Sequence, residues 1–579
     1  MSKLIQRFGI NEHIILSVVA VAIGLMVGYG AIVFRLLIES FQFIFMQSGR
    51  ENVAEIVKEL PWWQVLIMPI VGGAIVGPLI HFVFPSSRGD GVPEVMKSLA
   101  LHGGKLAVRD GLGKTLSCSL SIGCGASVGR EGPVVHLGAT LAAWIGSFMP
   151  LSNSHMRTII GCGAAAGIAA SFNAPIAGVM FALEVILADY GLATFSPIVL
   201  SAVIATVIAR MHLGDFPAFI VPTYTLVSVW EIPAYVGLGL LCGLTGILFM
   251  ISLFKAEDLF HPIKIPIYLK PIIGGAALGL IALVYPEIMG VGYDVMNHAL
   301  LEEMAATTMI ALIFAKIIAT SVALGSGFTG GVFTPSLFLG AMVGGSFGSI
   351  AHSLFPSISA GPGAYTLVGM GAMAASVLGA PIASILILFE LTGDYRIMLA
   401  LMVASIVATL LINQIYHESV YTQTLKRKKI DLRQGREANL LRNISVASIM
   451  RNNFETIDES INIRQFKEML KSSRDDNFIV IDSQGHCNKT ISLQDFRRIF
   501  EDGGFDDLAM IRDIPSQPPI TISSQDTLYQ AQLYFQNHNV EQLYVVNPDN
   551  PALIIGLISN HDMIRAYNMA LLNQTKIHD

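Results

Sequence analysis

Between residues 14 and 421 the chain is a succession of apolar segments, and many are too short to cross a bilayer as one helix, which takes about 20 residues. Two early runs are long enough, Ile14 to Phe34 and Trp62 to Phe84. Those that follow, among them Val92 to Leu101, Asp110 to Cys124, Glu131 to Phe148 and Pro175 to Ala188, are short and broken by glycine or proline. Backbone N–H and C=O groups at membrane depth must be satisfied, so broken helices occur there only where they are buried in protein or line a cavity. The expected fold is therefore an all-α polytopic membrane protein whose partial helices surround a pathway. At 53% hydrophobic and 13% charged, the chain is too apolar for a soluble core of its length. The first run lacks a small-residue cleavage pattern and reads as a retained membrane helix.

One stretch stands out in this apolar background, Gly129-Arg130-Glu131-Gly132-Pro133. Ionisable groups at membrane depth are costly and default to a functional role. The glycines permit a tight turn and Pro133 suits the first turn of a helix. Such a start aims free N–H groups, and the positive end of the helix dipole, at one point. The second half of the chain repeats the theme. Pro133 to Ala139 lines up with Pro335 to Ala341, and Ala174-Pro175-Ile176-Ala177 followed by Glu184 lines up with Ala380-Pro381-Ile382-Ala383 followed by Glu390. Duplicated transporter halves bind substrate at their interface through discontinuous helices.

After Tyr421 basic residues appear, then short apolar runs, Phe478 to Ile481 and Gln542 to Val546, each after an amphipathic stretch, Ile463 to Leu470 and Leu528 to Asn537. This reads as a doubled α/β module. The expected boundaries are a membrane domain over 1–430, with halves at about 62–212 and 265–425, a linker over 431–444, and a tail over 445–579 with copies at about 445–502 and 512–570. Lys3 and Arg7 precede the first apolar run and Lys426 to Lys429 follow the last. The positive-inside bias puts both termini in the cytoplasm, and an even number of crossings follows.

The motif at 129–133, the run Gly325 to Pro335, the Gly89-Asp90-Gly91-Val92-Pro93 element and the tyrosine of Glu418-Ser419-Val420-Tyr421 together resemble the four signatures of the CLC chloride channel and transporter family. They stand in the family's order, and the resemblance covers about residues 10 to 428. The tail resembles a CBS-domain pair. The resemblance implies a bacterial-type inner-membrane protein, an inverted-repeat fold of about 18 helices, many tilted or partial, and a homodimer with one pathway per subunit. It implies chloride or another small anion as substrate and no required cofactor. Glu131 matches the gating glutamate, whose carboxylate occupies the outer anion site when ionised and leaves it when protonated. Amides at Arg130 to Gly132, Val332 and Phe333, the element around Gly91, and the Tyr421 hydroxyl would hold anions. Lys114 matches a buried lysine that raises the local potential. In the tail, Ser559 with Asp562, and less cleanly Ser492 with Asp495, match the feature that holds an adenine nucleotide's ribose.

Two departures bear on mechanism. Asp90 stands where the family usually has a serine whose hydroxyl meets the central anion. An ionised carboxylate there would repel chloride, so pH-sensitive conduction is expected. Val185 stands where proton exchangers typically carry a glutamate, and valine holds no proton. A proton-gated passive anion channel is therefore the favoured reading, and an H+/Cl− antiporter relaying through Glu184 the alternative. The tail's alternative is a purely structural or dimerising role.

Other classes fit poorly. A divalent cation transporter needs clustered acidic oxygens, while the membrane half offers the singletons Glu131, Glu184 and Glu390. The HExxH and catalytic His/Asp/Cys patterns of an enzyme are missing. The five cysteines have neither paired nor CxxC spacing, so neither a disulfide framework nor a metal site is indicated. No basic surface with interleaved aromatics points to nucleic acid.

Overall fold

A computed structural model describes residues 12–579 except 50–51, 86–90, 150, 215–218, 220–221, 223, 225–226, 394, 431–440, 442–443, 453, 473–476, 483–486, 493–508, 515–517, 539, 549 and 577–579. Asp90 and Asp495 lie outside the described residues. The chain divides into two units, residues 1–428 and 429–579.

Eighteen α-helices make up the first unit among the described residues: α1 (Glu12–Met46), α2 (Val53–Glu59), α3 (Trp62–Pro78), α4 (Gly91–Leu101), α5 (Val108–Gly123), α6 (Glu131–Ser147), α7 (Asn153–Phe172), α8 (Pro175–Phe181), α9 (Leu192–Leu213), α10 (Ile232–Phe260), α11 (Lys270–Ala282), α12 (Tyr293–Leu300), α13 (Ala306–Ser326), α14 (Phe333–Leu354), α15 (Pro362–Leu378), α16 (Pro381–Thr392), α17 (Met398–Ile415) and α18 (Val420–Arg427). Among the described residues seven spans are long and apolar enough to cross a membrane, and α8, α11, α15 and α16 are shorter apolar pieces. The first membrane helix runs well past the apolar stretch read from sequence, from Glu12 to Met46.

The duplication is carried by residues that geometry requires. Gly125 (φ 91°) and Gly327 (φ 112°), 202 positions apart, turn the chain out of α5 and α13 with a left-handed backbone that suits glycine. Lys114 and Lys316 share that spacing and are fully buried in those two helices. Close helix crossings repeat as well. A methyl built on Gly138 of α6 would stand 2.1 Å from the Gly163 carbonyl of α7, and the reverse distance is the same. In the second half Gly340 of α14 and Gly369 of α15 meet at 2.3 Å in the same reciprocal way. Small residues at such crossings let backbones approach until dispersion holds them.

A second reciprocal contact joins the halves. The starts of α8 and α16 have no capping side chain of their own. Glu390 accepts from Ile176 N at 2.9 Å and Ala177 N at 2.7 Å, while Glu184 accepts from Ile382 N at 3.1 Å and Ala383 N at 2.8 Å. Each half's carboxylate caps the other half's helix, where the dipole favours negative charge.

Among the described residues the second unit holds two three-stranded sheets of one topology. β1 (Thr456–Asp458) pairs in parallel with β2 (Asn477–Ile481), which pairs antiparallel with β3 (Cys487–Ser492); β4 (Thr521–Ser523), β5 (Gln542–Asn547) and β6 (Asn550–Ser559) repeat the order. Its α-helices among the described residues are α19 (Ile463–Ser472), α20 (Leu528–His538) and α21 (Asn560–Lys576). The copies exchange their leading segments. Leu441 and Val446 belong to the core built on α20 and β5, whereas Ile511 and Ile514 belong to the core built on α19 and β2.

The crossings yield a test. Gly163→Ala and Gly369→Ala should each cost about 1–3 kcal/mol through overpacking and lower the thermal midpoint in detergent. Gly237→Ala should not, because its nearest neighbour is a Phe347 ring atom at 3.7 Å. Equal midpoints for all three would contradict this packing.

Candidate functional site

The site begins where α6 and α14 begin. Gly129 N donates to Gly331 O at 2.8 Å and Gly331 N donates to Gly129 O at 2.7 Å, a two-residue antiparallel bridge between the halves. Arg130 and Val332 follow as the residues preceding the two helices, and neither provides a side-chain cap. The first-turn amides of both helices therefore converge from opposite halves with the positive ends of two dipoles. Val332 and Phe333 are buried, as is Gly132. Such a pair of starts can compensate a desolvated anion through dipoles instead of a full countercharge.

Glu131 is the first residue of α6 and only 1% exposed. Its Oε1 accepts from the Tyr293 hydroxyl at 3.1 Å, and its Oε2 has no partner among the described residues. That oxygen lies 2.7 Å from where a methyl on Gly129 would stand, so glycine there leaves room for the carboxylate. The Arg130 guanidinium lies over the Tyr293 ring, 4.9 Å from its centroid. Arg130, which precedes the helix, and Glu131, its first residue, meet at this one tyrosine. Tyr293 was not singled out in the sequence. It stands 202 positions after Gly91, at the start of the helix matching α4, and that spacing is the signal that could have found it.

The other expected residues fall around this centre. Gly91 opens α4 directly on α6, since a methyl there would meet Gly132 O at 2.2 Å and the His136 Cβ at 2.7 Å. His136 is buried in that contact, a packed histidine. Tyr421 is 1% exposed on α18, which packs on α4 and is tied to it by Lys428 Nζ on Glu94 Oε1 at 2.8 Å. Lys114 is fully buried, within electrostatic reach of His136 and Glu94. Phe333 packs against Phe172 and Phe181 at 5.3 and 6.2 Å between ring centroids. Val185 is buried in the π-helical turn that continues α8, and Glu184, the candidate relay, uses both carboxylate oxygens on the start of α16.

Residues 72–413 match the family model described as voltage gated chloride channel. The chain belongs to this family. A chloride channel protein of the ClcB-like type from Ralstonia nicotianae is 35% identical over 417 residues, covering 71% of this chain and 97% of the relative. The H(+)/Cl(-) exchange transporter ClcA of Vibrio cholerae is 31% identical over 393 residues, 65% of this chain and 82% of the relative. The X-ray structure of a slow cyanobacterial Cl-/H+ antiporter superposes with a TM-score of 0.65 at 26% identity, covering 72% of this chain and 98% of that one. Residues 511–568 match the CBS domain. With its apolar spans, this CLC chain is an integral membrane protein.

In the CBS unit Ser559 ends β6 and Asp562 lies in the first turn of α21. Asp562 Oδ2 accepts from Ser559 N at 3.1 Å and Ser559 Oγ at 2.6 Å, and Ser559 Oγ accepts from Asp562 N at 3.2 Å. Arg451 closes over the pair, with Nη2 on Asp562 Oδ1 at 2.7 Å. The equivalent Ser492 ends β3, opposite Asn477 as Ser559 is opposite Gln542, while its partner Asp495 lies outside the described residues. Burial raises the Asp562 carboxyl, but Arg451 and Ser559 outweigh it and hold the group below the ordinary carboxylate range. A carboxylate held low in the fold stabilises it above the unfolded value, and that contribution disappears as pH falls through the folded value. Arg451→Ala should therefore cost about 1 kcal/mol at neutral pH in denaturant unfolding of the tail. The difference from wild type should start to shrink as the pH falls below about 3.9, the free aspartate value, and close once it passes the lower folded value; a constant difference would place the effect elsewhere.

Proposed function

We propose that this protein carries chloride across its membrane, with the Glu131 carboxylate competing for the place an anion takes at the paired starts of α6 and α14. The observation that carries the reading is the bridge between Gly129 and Gly331, which fixes two uncapped helix starts beside a buried, half-satisfied carboxylate. Protonation weakens the carboxylate's attraction to helix-start amides more than it affects chloride, so acid favours the open arrangement. A homodimer in an inner membrane, both termini cytoplasmic, is the arrangement we infer for it.

Passive conduction is the reading we favour. Val185 has nothing to carry a proton, and Glu184 would have to leave two amides to do so. Proton-coupled exchange is the second reading, favoured by likeness to the Vibrio exchanger and the cyanobacterial antiporter. Chloride flux in liposomes, with proton movement recorded alongside, separates them. We expect acid-activated flux without uphill proton movement, loss of the acid activation in Glu131→Ala, and a weaker pH dependence in Asp90→Ser. Sustained proton movement driven by a chloride gradient would assign exchange, and a Glu131→Ala profile identical to wild type would refute the gate.

For the CBS unit we propose an adenine nucleotide at Ser559 and Asp562, its ribose replacing Arg451 as the partner of the carboxylate. Calorimetry of the whole protein with ATP, ADP and AMP should give binding heat for at least one. That heat should be lost in Asp562→Ala; no heat with any of the three would leave the unit a structural one.

A further inference from the structure

Tyr293 is built into its place with unusual thoroughness for one side chain. The preceding Gly292 has φ 87°, and Lys316 Nζ donates to Ile288 O at 3.0 Å and Gly290 O at 3.2 Å, tying down the turn that enters α12. Asp294 accepts from Ala54 N at 2.7 Å and Val295 N at 2.9 Å, anchoring the other side of the tyrosine. The ring itself is 5% exposed, sandwiched by the Arg130 guanidinium and by Phe219, edge-on at 5.2 Å between centroids. Its hydroxyl is thus a fixed donor to Glu131 Oε1. Among the described residues, no helix-start amide donates to that carboxylate.

The Glu131 side chain therefore has two docking places within reach of one short side chain. One is the cluster of amides at the starts of α6 and α14, where a carboxylate and an anion compete. The other is the Tyr293 hydroxyl. We propose that Tyr293 is a positioning residue for the gate: it holds the ionised Glu131 carboxylate off the helix-start amides and so sets how often the pathway stands open at neutral pH. This rests on the reading of Glu131 as the gate. The duplication supplies a reason for the position, because Tyr293 is the second-half counterpart of Gly91, which opens α4 against the first turn of α6. The first half brings backbone to the α6 start; the second brings a hydroxyl.

The charged groups around this docking place are Arg130 over the ring, Lys316 from α13, Asp294 beside the tyrosine, and Arg35 and Glu39 of α1, of which Arg35 and Glu39 line a small cavity with Arg130, Gly292 and Tyr293. Tyr293→Phe leaves all of them, and the ring under Arg130, in place. It removes only the donor. The ionised carboxylate then returns to the amides, while a protonated one, held weakly there, does not.

Chloride flux in liposomes should be measured for wild type, Tyr293→Phe, Glu131→Ala and the double variant, at about pH 7.5 and at about pH 3, where carboxylates are largely protonated. Tyr293→Phe should reduce flux about tenfold at the higher pH, the scale of one hydrogen bond to a charged group. At the lower pH it should match wild type, and in the Glu131→Ala background the hydroxyl should make no difference. Unchanged flux at the higher pH would overturn the proposal, as would an equal loss at both pH values or an equal loss without Glu131, either of which marks damage to packing. A Glu131→Ala profile indistinguishable from wild type would instead remove the gate, and the role of Tyr293 with it.

Discussion

Two hydrogen bonds between Gly129 and Gly331 hold this structure's central feature in place. A helix that starts inside a membrane leaves several amides without partners, a cost tolerated only where something polar answers them. Here the chain brings two such starts together, one from each half, and sews them by their backbones. Any side chain at Gly129 would press on the Glu131 carboxylate and on Gly331 O, and one at Gly331 would stand 3.0 Å from Gly132 N. Glycine at both positions keeps the bridge clear of these tight contacts.

Around that bridge the duplicated halves exchange support. Glu184 and Glu390 each cap a helix of the opposite half, and the glycine crossings of α6 with α7 and α14 with α15 repeat one geometry. The buried lysines show how the halves have diverged in use. Lys316 holds carbonyls of the turn before Tyr293, whereas Lys114 lies near His136 and Glu94. One scaffold position serves two local tasks, since a buried ammonium must find carbonyls or charge wherever it sits.

Much of the frame was legible because it is written in residues with few alternatives. Glycine and proline mark the helix starts at 129–133 and 325–335, and the Ala-Pro-Ile-Ala matches expose the duplication. What stayed hidden depends on partners distant in sequence. Tyr293 is 162 residues from Glu131 and sits in a stretch, Gly292-Tyr293-Asp294-Val295-Met296, that carries no local signature. Glu184 reads as a lone acid until Ile382 and Ala383 come to meet it. In the CBS unit the strands and helices follow their apolar patterns, but the exchange of segments at 441–446 and 511–514 does not, because either core would accept the same aliphatic side chains.

In the proposed function, paired helix starts form an anion site for which the Glu131 carboxylate competes. Anomalous diffraction from crystals grown in bromide tests it directly, comparing wild type with Glu131→Gln. Bromide is expected within hydrogen-bonding reach of the first-turn amides of α6 and α14, with occupancy rising when the carboxylate's charge is removed. Bromide bound elsewhere in the membrane unit, with those amides bare in both proteins, would contradict it.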